Sequence, residues 1–169
     1  VIPEVENYWQ RLANLHRQIT TLVSDLPEEA LNWQPFERLD EPVANSLAGL
    51  ASHVAGAEHF WIGEVIGRRP VTRDRDAEFV TQVSDPAELV TRLAQTLSQS
   101  REILQALGET DLADTRSVRG ETVPVRWALL HVVDHCALHL GHMQLTYQLW
   151  QGGQSIQAPR WFQRLPGRK

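Results

Sequence analysis

The sequence predicts an all-α chain folded as one four-helix bundle. Three observations carry this. Four segments repeat apolar residues at helical spacing, two of them open on strong helix-capping residues, and internal repeats and low-complexity tracts are absent. At 169 residues the chain fits one domain of ordinary size and can bury a core without disulfides. We place the bundle in residues 1–150 and a tail in residues 151–169.

The first helix is expected from Glu4 to Leu26. Val5, Tyr8, Trp9, Leu12, Leu15, Ile19, Leu22 and Val23 recur on one face. The run from Leu26 to Leu31 offers a stop and one short helical turn, and Gln34 to Asn45 reads as loop. Ser46 is a good N-cap for a second helix, Leu47 to Ile66, whose apolar stripe contains His53 beside Leu50, Ala57 and Phe60. Gly67 fits its C-terminal cap, with Pro70 just beyond. Residues 68–84 are polar. Arg68, Arg69, Arg73 and Arg75 there lie among Asp74, Asp76 and Glu78, which points to a solvated loop.

Asp85 caps a third helix, with Pro86 at its first position, running to about Leu107 and ended by Gly108. Thr115 to Val123 alternates around Arg119-Gly120, the pattern of a small hairpin. The last helix runs from about Val125 to Trp150 and stops at Gly152-Gly153. In the tail, Trp161 and Phe162 would dock on the body.

Composition excludes several classes of function. The net charge is −5, which argues against a nucleic-acid partner because phosphate binding needs clustered cations. No apolar run is long enough to span a membrane, and no secretory leader is seen. Cys136 is the only cysteine, so no intrachain disulfide forms and a reducing cytoplasm is the expected location. Phosphate-binding and dinucleotide fingerprints are missing, as is a nucleophile elbow.

The informative stretch is His131 to His142. At about 100° per residue, His131, His135, His139 and His142 fall within an arc of roughly 80°. Trp127, Leu138, Leu145 and Leu149 lie on or beside that arc, so this face is expected to point into the bundle. Stacked interior imidazoles are hard to satisfy with protein groups alone, because each neutral ring needs a partner for two nitrogens. A divalent metal ion resolves the problem. His135 and His139, four apart, place their rings side by side, and His53 is the best third ligand. His59 lies off its stripe and His16 is on the first helix. Asp134 is off the arc and reads as a surface carboxylate, while Cys136 sits on another side of the helix. The pattern His131-Val132-Val133-Asp134-His135 approaches the inverted zinc-protease motif, but it carries Asp where that chemistry needs Glu.

These residues resemble the DinB/YfiT-like superfamily of metal-binding four-helix bundles, over roughly helix one to Trp150. The resemblance rests on Ser46 to Glu58 around His53 and on the last-helix run to His142. It implies His53, His135 and His139 as ligands of a zinc or nickel ion. The family usually continues Gly then Gln, where this chain has Gly141 and His142. The mycothiol-using branch often carries Glu as its first last-helix ligand. His135 is closer to the three-histidine pattern of the bacillithiol-transferase branch.

What the resemblance implies is a transferase that activates a low-molecular-weight thiol toward a small electrophilic substrate. His142 or His131 would orient a ligand or move a proton. Two other functions fit three imidazoles with an open position: metal-dependent hydrolysis, and a non-catalytic metal-binding stress-response module. Three imidazoles also suit copper or iron. Exposed Trp and Leu on a bundle face would favour a homodimer.

Overall fold

The computed structural model describes residues 2–35 and 44–153. Four long helices build it: α1 (Pro3–Val23), α3 (Leu47–Glu58), α5 (Pro86–Ala106) and α7 (Val125–Trp150). Short helices α2 (Glu28–Asn32), α4 (Arg75–Phe79) and α6 (Glu109–Ala113) fill the connections. Strands β1 (Thr115–Val118) and β2 (Glu121–Pro124) form an antiparallel hairpin, with Thr115 opposite Pro124. Both α1 and α3 pack on α5 and α7, so the helices form a ring with α1 diagonal to α3. No helix among the described residues is long and apolar enough to cross a membrane.

The caps act as the sequence implies. The Ser46 hydroxyl accepts from the Gly49 amide at 3.0 Å, which satisfies one orphan donor of α3. Asp85 caps α5 in a capping box with Glu88, behind Pro86. The hairpin turns through Arg119 (φ 54°) and Gly120 (φ 87°), the left-handed pair of a type I′ turn. Apolar side chains from all four long helices fill the core, among them Leu15, Leu47, Val54, Leu93 and Met143. One polar network lies inside it: Glu58 of α3 accepts from Ser100 of α5 and pairs with His16 of α1.

The expected second helix changes character halfway. Beyond Glu58 it continues as a π-helical segment, His59–Ile66, closed by the Gly67 amide on the Ile62 carbonyl at 2.8 Å. Gly67 ends it, though not in a left-handed conformation. A Cβ at Gly67 would stand 2.7 Å from the Gly63 carbonyl oxygen and 2.9 Å from Ile103, so close approach is what requires glycine, and Arg68 takes the left-handed turn at φ 55°.

Two expectations need correction. Residues 68–84 are not simply a solvated loop. Asp74 caps α4 through the Ala77 amide, and Glu78 is buried at 7% exposure. The buried face of α7 is not the histidine face. It is Val125, Ala128, Leu129, Val132, Cys136, Leu140 and Met143 that enter the core. Trp127, Leu138, Leu145 and Leu149 are exposed, because α7 is apolar on most of its circumference and packing selects the neighbouring stripe. The expected docking of Trp161 and Phe162 lies outside the described residues.

Candidate metal centre

His53 projects from the middle of α3 and is 5% exposed. His135 and His139, one turn apart on α7, are half-buried where that helix faces α3. One nitrogen from each of the three rings lies within 4.8 Å of the others. Nε2 of His53 and Nε2 of His135 are 3.0 Å apart. The ring centroids are 4.4 Å apart for His135 and His139, and 4.7 Å for His53 and His139.

Burial keeps these rings neutral. It pushes the His135 pKa down to about 3 and that of His139 to about 4, with the neighbouring imidazoles adding to both shifts. His53 is also lowered by burial, against the opposing pull of Glu78. Neutral imidazole is the form that binds a metal. A tetrahedral zinc with Zn–N of about 2.0–2.1 Å sets its ligand nitrogens about 3.3 Å apart. The 3.0 Å and 4.8 Å separations bracket that value, so the three residues fit one divalent ion with small side-chain adjustments.

A group that the sequence reading missed fixes His53. The ring donates from Nδ1 to Glu78 Oε2 at 2.8 Å, which leaves the Nε2 lone pair facing His135. Arg73 grips the same carboxylate with two bonds, Nε to Oε1 at 2.7 Å and Nη2 to Oε2 at 2.9 Å. The segment bearing Arg73 is tied down in turn by Glu64, whose Oε1 accepts from the amides of Thr72 and Arg73. Gly56, three residues after His53, leaves room for the Glu78 carboxylate: a Cβ there would lie 2.0 Å from Oε1. Phe79 covers the His53 ring at 4.4 Å between centroids.

The two other helix-α7 histidines stand at the edge of the cluster. His142 is exposed, with its Nδ1 3.4 Å from Nδ1 of His139. His131 stacks on Trp127 at 4.8 Å and 6°, meets the edge of Trp61 at 5.2 Å, and lies 5.7 Å from His135. Trp61, Trp127 and His131 thus form an aromatic wall, and Trp127 is 48% exposed. His59 turns away to Thr72, and His16 pairs with Glu58 in the core, so neither joins the cluster. Cys136 is buried on the core side of α7.

Comparison with known proteins bears on the fold and the family. In solved structures the fold is similar to a conserved protein of Enterococcus faecalis, with a TM-score of 0.74 at 17% identity, covering 90% of this chain and 99% of that one. It is also similar to a DinB-like protein from Bacillus cereus ATCC 10987, with a TM-score of 0.70 at 17% identity, covering 92% and 97%. Among curated sequences, the uncharacterised protein YkkA of Bacillus subtilis (strain 168) is 24% identical over 119 residues, 63% of this chain and 67% of its own length. The family model for mycothiol S-transferases matches residues 9–152, a span that contains all three converging imidazoles and both helices that carry them. The chain therefore belongs to the DinB-like mycothiol S-transferase family.

Proposed function

We propose that the protein is a metal-dependent thiol S-transferase in which His53, His135 and His139 hold one divalent ion, zinc or nickel. The supporting observation is the convergence of three neutral imidazoles from two helices within 4.8 Å. A divalent ion bound there supplies a lowered sulfhydryl pKa, so that thiolate exists at neutral pH.

The remaining work falls to the chain's own side chains. Glu78, clamped by Arg73, keeps the proton of His53 on Nδ1 and its Nε2 free. Exposed His142, beside His139, would accept the sulfhydryl proton and pass it to solvent. The wall of Trp61, Trp127 and His131 offers apolar surface to an electrophile. The reaction would form one carbon–sulfur bond as the S–H bond breaks and its proton passes to His142, while the electrophile either takes up a proton after addition or releases its leaving group to solvent. Hydrolysis is the weaker reading, because the family match is to S-transferases and no free carboxylate among the described residues stands against the cluster, which leaves His142 as the base for either reaction. Among the described residues the carboxylate against the cluster is Glu78, already held by Arg73 and His53.

The test is turnover by the zinc- or nickel-loaded protein with mycothiol, bacillithiol, glutathione and coenzyme A against a fluorogenic electrophile. Conjugation that depends on both metal and one thiol is expected. Absence of metal-dependent conjugation with every thiol would reject the transferase reading.

A further inference from the structure

The geometry points to a second binding site, for a small anion bearing carboxylate or phosphate oxygens, in a cleft next to the histidine cluster. This cleft of about 1090 Å³ lies between the π-helical segment, the 68–74 connection and β1. It is large enough for a substrate-sized molecule. Six arginines line it: Arg68, Arg69, Arg73, Arg75, Arg116 and Arg119. Only three carboxylates do, on a chain whose net charge is −5.

Two of the three, Glu64 and Asp74, are engaged by backbone amides, the third being Asp76, and carboxylates outside the lining pair with part of the wall, Glu78 with Arg73 and Glu102 with Arg69. Glu64 spends Oε1 on the amides of Thr72 and Arg73. Asp74 caps α4. Asp114, just outside the lining, is shared between Arg68 and Arg116. Arg119 has no ion pair among the described residues. Arg75 likewise pairs with no carboxylate among the described residues, so the anion-attracting part of this wall is Arg75, Arg119 and the unpaired edge of Arg116.

Arg116 is the built element. It is 8% exposed, and its Nη1 is anchored by Asp114 and the Thr115 carbonyl. Its Nε is buried with no partner among the described residues, and its hydrogen bonds there all leave from Nη1. A buried guanidinium left half-satisfied is costly unless an anion completes it. The site is separate from the metal ligands, none of which lines the cleft. Arg73 alone touches both, since it lines the cleft and holds Glu78 against His53. An anionic group on the thiol or the electrophile would therefore anchor beside the reacting centre. That last assignment rests on the transferase reading; the anion site itself does not.

Arg68 and Arg119 make a clean test, because both sit in the left-handed region where glycine is favoured. The variant R68G/R119G removes two cleft charges while relieving backbone strain, so folding should be kept. Nitrogen-15 NMR titrations at constant ionic strength would use inorganic phosphate and succinate as separate probes. Saturable shifts at the Ser117 and Val118 amides and the Arg116 Nε–H are expected, and one probe binding alone identifies its oxyanion class. R68G/R119G should weaken binding by about tenfold or more, and R68K/R119K by no more than about threefold. The H135A variant should bind the probes like the parent, which separates this site from the metal site. No saturable shift up to about 50 mM of either probe, or equal affinity in R68G/R119G, would overturn the proposal.

Discussion

Replacing Gly56 by alanine should weaken metal binding without touching a ligand. The new Cβ would lie 2.0 Å from Glu78 Oε1, 2.5 Å from Cδ and 3.2 Å from Cγ. Ordinary contact needs about 3.5 Å, so the carboxylate must retreat by about 1.5 Å. The 2.8 Å bond to His53 then passes beyond hydrogen-bonding range. Alanine in the helix interior gains about 1 kcal/mol in propensity, but losing a hydrogen bond to a charged group costs about 1.5–3 kcal/mol. A small net loss of stability follows. The larger effect falls on the ion. With Glu78 displaced, Arg73 Nη2, 3.4 Å from His53 Nδ1, becomes the nearest donor to that nitrogen. It favours the tautomer with the proton on Nε2, the form that cannot ligate. Loss of a carboxylate partner of this kind costs about 10–100-fold in metal affinity. Competition against a chromophoric zinc chelator would measure it, with Glu78→Gln as the milder control that keeps an acceptor oxygen. Zinc affinity of Gly56→Ala within twofold of the parent would refute the Glu78 argument.

Other outcomes follow from burial. The folded pKa values of His135 and His139 lie at about 3 and 4, below the ordinary 6.5, so between those limits the unfolded chain binds protons that the folded chain does not. The metal-free protein should accordingly keep its thermal stability above about pH 7 and lose it progressively from pH 6.5 toward 4. His135→Ala should flatten that profile in melts recorded across the range; an unchanged slope would argue against buried neutral rings. Burial raises the Cys136 thiol far above its usual pKa, and the side chain is 1% exposed. Aromatic disulfide reagents should leave it unmodified in the native protein and titrate one thiol in denaturant. Fast native labelling would contradict its place in the core.

Much of this architecture could be read from residue order. Apolar spacing gave the four long helices, and Ser46 and Asp85 marked two of their starts within a residue. The three converging imidazoles were legible because i, i+4 spacing fixes His135 beside His139, and His53 was the histidine in the α3 stripe. The supporting pair was not. Glu78 and Arg73 come from a polar stretch in which a five-residue helix leaves no periodic signal. Gly56, three positions after His53, was the available hint that something approaches α3 closely. The orientation of α7 failed for a different reason. A helical wheel says which residues share a face, but when histidines, tryptophans and leucines crowd one side and Val132, Cys136 and Met143 another, only packing decides which goes inside. The π-helical turn left no trace in composition, although it carries the Phe60 and Glu64 side chains to the cleft.

The central claim is that positions 53, 135 and 139 share one ion. Elemental analysis of the purified protein, beside His53→Ala, His135→Ala and His139→Ala, tests it most directly. The account predicts one divalent ion per chain in the parent and loss of it in each variant, with helical circular dichroism retained. Full metal content in folded His135→Ala, or a parent protein that binds no zinc or nickel when supplied with them, would contradict it.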